Sequence, residues 1–369
     1  MSAPAIMVRR TLPAQLGATG LRSASMRAGL ALAASRVVAW TAALLGGHGA
    51  VSAPFQRWDA LHLLSIATYG YPPHDGQQWS FFPLYPLLAR SVWIGAAISI
   101  AAFWAALVVI ETIGEQELGP AIGRRAVWIA AFFPASLFLT AYYTDGLFLL
   151  LSAAAVLAAR RDRPGLAVVL GFAAAATRSV GAALAVPLFL MSSRSIRARL
   201  LAGAGPLLGT AAFLGYAYAR AGDALAPIHA ERTWGRMFHG PFAAILPAAR
   251  DAFRALVGAP HPAWTFEPGW LRVVQFSSLV LAVVILVWTL RRLALGYGAY
   301  LLVGLALPLS TFWPAHPLMS FVRFLAVLFP IFLALGAVAG RWRFSAILLS
   351  SAALLAIFSW LFGAGMWAG

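Results

Sequence analysis

From Ala28 to Gly46 the chain carries one charged residue, Arg36, and apolar runs of similar length recur along most of the remaining sequence. In hydrocarbon such a run satisfies its own backbone only as a helix, so the chain is constrained to a helical bundle in a bilayer. Further runs lie near 91–112, 126–143, 146–159, 201–219, 273–290, 294–310, 324–340 and 345–362. Between Gly165 and Met191 a longer stretch is interrupted by Thr177-Arg178-Ser179. An unpaired arginine at the centre of a span costs about 3 kcal/mol or more, so two shorter helices meeting near Arg178 on the outer side are expected. The reading is an all-α polytopic membrane protein of about ten or eleven transmembrane helices. Composition agrees, because 62% of the 369 residues are hydrophobic and only 10% charged, too few to clothe a soluble domain.

Charge placement sets the orientation. Residues 1–27 hold four arginines among Ala, Ser, Gly and Pro without an apolar period, and read as a flexible cytoplasmic tail. The first apolar run exceeds a signal-peptide core and lacks a small-residue cleavage pattern, so it reads as a retained anchor. With the N-terminus inside, sixteen arginines fall on the cytoplasmic side and ten on the other, with Arg36 in the first span. Glu111, Glu115, Glu117 and Asp162 are inside and the other seven acids outside, in accord with the positive-inside bias. Residues 28–369 then form one integral membrane domain with two outer loops, about 47–90 and 220–272. A net charge of +16 follows membrane topology rather than a nucleic-acid patch, so anionic lipid is the expected partner. All 27 basic residues are arginine, and Ala and Gly abound, which suggests a GC-rich prokaryotic genome and a cell membrane location. There is no cysteine, hence no disulfide and no thiolate metal site.

The polar residues of the outer side are the candidates for chemistry. Asp59 stands at the outer end of the first span, where a carboxylate can take a proton from an incoming hydroxyl, with Arg57 and His62 near in sequence to tune it. It also reads as a surface carboxylate paired with Arg57, or as the cap of a short helix over Ala60 to Thr68. The prolines of Phe81-Phe82-Pro83-Leu84-Tyr85-Pro86 prevent a smooth helix start, and the run suits re-entry at the interface or a simple aromatic belt. Asp145 sits at a short outer turn, at a depth matching Arg178, so the two are placed to pair or to frame a polar cavity. Arg178, Arg236 and Arg323 suit an anionic headgroup, since a guanidinium offers phosphate a bidentate contact; Arg323 equally suits a snorkelling anchor. No P-loop, nucleotide fingerprint or H-E-x-x-H occurs, and His62 and His74 do not form a metal cage with acids. No metal or cofactor is required, and an activated substrate is expected to arrive on lipid.

In order along the chain these residues resemble a known family. Arg57-Trp58-Asp59-Ala60, Tyr69-Gly70-Tyr71 and Phe81-Phe82-Pro83-Leu84-Tyr85-Pro86-Leu87 are similar to the first outer loop of the PIG-V family, the second mannosyltransferases of glycosylphosphatidylinositol anchor assembly, and its bacterial relatives. Phe132-Phe133-Pro134-Ala135-Ser136 through Tyr142-Tyr143-Thr144-Asp145-Gly146, and Thr177-Arg178-Ser179-Val180-Gly181, resemble later segments. Trp234-Gly235-Arg236 and Arg323-Phe324 fall where further motifs belong. Asp145 stands where the family usually has glutamate, and Val180 replaces a common asparagine.

The resemblance implies the GT-C architecture and transfer of mannose from a polyprenyl-phosphate donor on the outer face, with Asp59 as catalytic carboxylate. In that scheme the reaction inverts the anomeric centre. Arg178, Arg236 and Arg323 would hold the phosphate, Asp145 would orient one of them or bind a sugar hydroxyl, His62 would tune Asp59, and Trp58, Trp79 and Trp234 would stack on sugar. The acceptor would be a hydroxyl of a glycan, glycolipid or protein. Two other classes fit a chain of this kind: a multi-pass lipid or glycan transporter, whose charges belong near the midplane in two matching halves, and a noncatalytic assembly subunit.

Overall fold

The computed structural model describes residues 18–74, 76–192, 195–259, 268–338 and 340–367. The first helices are α1 (Ala18–Gly46), α2 (Asp59–Tyr69), α3 (Leu84–Leu88), α4 (Val92–Leu118), α5 (Pro120–Phe132), α6 (Asp145–Arg160), α7 (Pro164–Ala175), α8 (Ala185–Met191) and α9 (Ile196–Ala221). The chain continues through α10 (Ala226–Thr233), α11 (Ile245–Leu256), α12 (Leu271–Arg292), α13 (Leu295–Ser310), α14 (Phe321–Ala326), α15 (Pro330–Gly336) and α16 (Arg341–Gly363). Strands β1 (Met237–Phe238) and β2 (Thr311–Phe312) form an antiparallel ribbon with Met237 opposite Phe312.

Among the described residues, α1, α4, α9, α12 and α16 are long and apolar enough to cross a membrane. The exposed surface of these helices carries large apolar side chains, among them Leu30, Val37, Leu207, Leu208, Val284 and Leu349, as lipid contact requires. The molecule is therefore a membrane-embedded helical protein. Helix ends follow local chemistry. Ser91 caps α4 by accepting from the Ile94 N–H at 3.3 Å, and Gly119, at a φ of 102°, ends it before Pro120 opens α5. Gly222 closes α9 in the left-handed conformation.

Several expected boundaries change. Residues 18–27 belong to α1 rather than to a mobile tail, while residues 1–17 lie outside those described. Arg27, within that extension, donates to Glu111 of α4 at 2.6 Å, which holds the early turns in place. The run 126–143 is not one helix. α5 stops at Phe132 because Phe133, preceding Pro134, is extended, and a single 3-10 turn over Ser136–Leu139 follows. The run 324–340 is likewise divided, with α15 starting afresh at Pro330. The stretch from 165 to 191 does break at Arg178, which is extended between α7 and a 3-10 segment over Ser179–Leu184.

α1 packs along α16, α4 against α5 and α6, α6 against α7, and α7 along α9. Small residues let these backbones approach. A side chain on Gly114 would meet the Cα of Gly123 across the α4–α5 crossing at 2.7 Å, and one on Gly171 would meet Pro206 of α9 at 2.8 Å. At the end of the bundle where α1 begins, Arg160 holds Glu117 at 2.7 Å and the Tyr297 hydroxyl donates to the same oxygen at 2.7 Å. The polar segments between α1 and α4, and α10 with β1, gather at the opposite end.

Arg36, which the sequence leaves alone in the first span, supplies donors to the break after α5. Its guanidinium is buried and donates to the Ser136 carbonyl at 2.8 Å, the Ser136 and Thr140 hydroxyls at 2.7 and 2.8 Å, and the Ala131 carbonyl at 3.1 Å. The Ala131 carbonyl at the end of α5 and the Ser136 carbonyl of the turn that follows thus find a donor inside the bundle. Arg36→Met is expected to lower stability by about 3 kcal/mol or more, because four hydrogen bonds from one buried guanidinium are lost. Arg36→Lys should recover only part, since an ammonium lacks the planar fork. Thermal melting of the detergent-solubilised variants checks both, and a wild-type midpoint for Arg36→Met would refute the assignment.

Candidate functional site

Asp145 opens α6 and is wholly buried. Its carboxylate receives Arg323 in a fork, Nε to Oδ1 at 3.1 Å and Nη2 to Oδ2 at 2.9 Å, and Arg178 Nη1 reaches Oδ1 at 2.6 Å. The third nitrogen of Arg323, Nη1, donates to Asp59 Oδ2 at 2.6 Å. Two aspartates and two arginines therefore alternate in a chain of no net charge, which offsets much of the cost of taking each from water. The helix dipole at the start of α6 adds to the hold on Asp145.

Aromatic packing fixes the chain of charges. The Arg323 guanidinium lies 4.6 Å from the Tyr143 ring centre and 5.1 Å from that of Phe138. The Tyr143 hydroxyl donates to the Arg57 carbonyl at 2.8 Å, and the Tyr142 N–H to the Phe55 carbonyl at 3.0 Å. These bonds bind the turn before Asp145 to the segment before Asp59. Trp58, immediately before Asp59, has a φ of 52°, and Ser320, just before α14 and three residues before Arg323, a φ of 69°. Positive φ at residues other than glycine is costly, and both instances stand at the entry to a helix that delivers one half of the Asp59–Arg323 pair.

The pairing of Asp145 with Arg178 is the one the sequence suggested. That of Asp59 is different: its partner is Arg323, while Arg57 donates to the Gly363 carbonyl at 2.9 Å. Asp59 is the first residue of α2 and not its cap. Its side chain keeps 23% of its exposure, so one oxygen is held and the carboxylate still reaches open space.

That space is a cavity of about 1020 Å³. Trp58, Asp59, His62, Arg178, Trp234, Arg236 and Arg323 line it, whereas Asp145 lies beneath and touches it only through its arginines. Asp145 thus orients two guanidinium groups, and its burial removes it from direct contact with a ligand. Trp79 does not reach the cavity either. It is fully buried, stacked on Tyr71 at 4.6 Å with its N–H on the His74 carbonyl. Trp234 does reach it, with its indole N–H on the Ser80 hydroxyl at 3.2 Å and its ring edge-on to His62 at 5.2 Å. His62 stacks on Phe81 at 5.4 Å. Burial pushes the His62 imidazole below its ordinary pKa, against the opposing pull of Asp59, so the ring is neutral near pH 7. The Pro-punctuated run supplies Phe81 and Phe82 to this wall, and after Pro83 it forms α3.

Sequence reading passed over other lining residues, chiefly Glu231, Arg232, Arg272, Trp313 and His316. Arg272 is held by Asp251 at 2.7 Å, and Arg236 lies over the Phe324 ring at 5.4 Å. Burial raises the carboxyl pKa of Glu231; Arg236 works against that rise and Asp59 adds to it. The available signal was a cluster of charged and aromatic residues between 220 and 272, which does not say which of them face inward. One side of the cavity is apolar: Val180, Leu214 of α9, Gly304 and Leu307 of α13, Val327 and Leu328. Leu307 keeps 41% of its exposure, so this apolar side stays accessible. Among the described residues no cluster of His, Asp and Glu could hold a metal ion.

Asp145→Asn is expected to cost about 3–5 kcal/mol, because two buried guanidinium groups lose their shared counter-charge. Asp59→Asn should cost clearly less, since Arg323 keeps its fork on Asp145. Equal losses on thermal melting would overturn this ranking. Comparison of the chain with family models, curated proteins and solved structures finds no match.

Proposed function

We propose that the protein is a membrane glycosyltransferase that moves a hexose, mannose by the resemblance of its motifs, from a polyprenyl-phosphate donor to an acceptor hydroxyl on the outer face. One observation carries the reading. A carboxylate held at 2.6 Å by Arg323 stands at the wall of a cavity that is arginine-rich on one side and apolar on the other. The prenyl tail would enter past Leu307 and Leu214. The phosphate would rest on Arg236 with Arg178 at its edge, and Trp58 and Trp234 would flank the sugar. The positive-inside bias supports an outer location for this end of the bundle, opposite the end that holds Arg27 and Glu111.

In the step proposed, Asp59 takes the proton of the acceptor hydroxyl as its oxygen attacks the anomeric carbon from the face opposite the phosphate. The bond from that carbon to the phosphate oxygen breaks, and its electron pair leaves with the polyprenyl phosphate. Fixed guanidinium groups aimed at the departing phosphate stabilise the charge that develops there. Arg323 acts through Asp59, presenting its free oxygen to the acceptor. The cavity's polar residues gather at one end of the bundle, which favours interfacial chemistry over transport through the midplane.

The test is transfer of labelled mannose from synthetic polyprenyl-phosphate mannose in proteoliposomes, with host lipid extract as acceptor. Asp59→Asn should lower the rate on the order of a hundredfold or more. Near-normal turnover by that variant would sink the assignment of Asp59. If the wild type transfers nothing from a panel of polyprenyl-phosphate sugars, a transporter or a noncatalytic subunit takes the place of the enzyme.

A further inference from the structure

Among the described residues two carboxylates line the cavity, and they are held differently. Asp59 is bound tightly by Arg323 at 2.6 Å. Glu231 has Arg236 as its ion-pair partner at 4.0 Å, the outer edge of such a contact, while that guanidinium lies against Phe324. A pair so loose and partly open contributes little, so it does not account for a carboxylate placed in the wall. The backbone around it is well fixed. The Glu231 carbonyl accepts from the N–H groups of Trp234 and Arg236, both at 3.1 Å, which winds the end of α10 around it. Its side chain keeps 29% of its exposure.

Trp234 gives Glu231 a neighbour of a particular kind. Its indole N–H is committed to Ser80, which fixes the plane of the ring in the cavity wall beside His62 and Phe81. A carboxylate with unclaimed lone pairs next to a fixed aromatic wall matches a sugar ring, whose hydroxyls donate and whose C–H face is apolar. Phosphate, by contrast, is repelled by Glu231 and drawn to Arg236 next to it, so the two residues separate the parts of a sugar phosphate.

We propose that Glu231 and Trp234 form the subsite that recognises the transferred sugar, with the Glu231 carboxylate accepting hydrogen bonds from two adjacent hydroxyls of the hexose. The proposal rests on the glycosyltransferase reading and deepens it by naming what selects the sugar. It assigns Glu231 to binding and specificity, leaving proton transfer with Asp59.

The experiment measures binding of polyprenyl-phosphate mannose and of bare polyprenyl phosphate to protein in nanodiscs, for wild type and Glu231→Gln. The wild type should prefer the sugar-bearing lipid, and Glu231→Gln should reduce the ratio of the two affinities about tenfold or more, the range for losing a hydrogen bond to a charged group. An unchanged ratio in the variant overturns the subsite and leaves the transferase reading standing. A wild type with no preference for the sugar-bearing lipid overturns the donor reading and the subsite with it. Should Glu231→Gln melt early, wild-type protein decides the matter with mannosyl lipids lacking one hydroxyl at a time. Weakening concentrated at two adjacent positions supports the subsite, and equal binding of all the analogues refutes it.

Discussion

The fork between Arg323 and Asp145 is the contact on which the candidate site depends. Both groups lie deep in an apolar bundle, where a lone charge is expensive and a matched pair is tolerated only with good geometry. The fork supplies that geometry and leaves one nitrogen of Arg323 for Asp59. Asp59 is thereby positioned from the far side of the fold. Replacing the whole network by apolar side chains need not cost stability, so its value lies in fixing a single arrangement of charges. The broken helices around it follow from the same requirement. Asp145 begins a helix and Arg178 lies between two, because a side chain reaches a partner across the bundle more freely from a helix end.

Much of this was legible in the sequence, for identifiable reasons. Hydropathy located the long helices because lipid permits so few backbone solutions. The depth argument joined Asp145 to Arg178, since both interrupt apolar runs at comparable positions. The partner of Asp59 was not legible: Arg57 is near in sequence and Arg323 is 264 positions away, and only the fold measures that distance. The breaks after Phe132 and Ala326 were marked by Pro134 and Pro330, yet a hydropathy window averages straight across them. Trp79 and Trp234 are chemically the same, and nothing local says that one fills the core while the other faces the cavity. Arg36 was visible as an anomaly, but its role as a donor to the end of α5 depends on a neighbouring helix.

The two ends of the bundle use charge in different ways. Where α1 begins, Arg160 and the Tyr297 hydroxyl meet on one oxygen of Glu117. At the other end, charged side chains face a cavity and part of their hydrogen-bonding capacity stays open. The first arrangement holds helices together; the second leaves capacity for a ligand.

The separation of Asp59 from Arg323 also bears on how the molecule is made. Synthesis delivers Asp59, Asp145 and Arg178 to the membrane well before α14 exists. During that interval Asp145 has Arg178 as its available counter-charge, and Asp59 has yet to meet its partner. Arrival of Arg323 completes the alternation and links Asp59 to Asp145 at the start of α6. The candidate site is therefore assembled last and from both directions along the chain, so a nascent chain lacking its final third inserts most of its hydrophobic mass before the pairing of Asp59 with Arg323 exists.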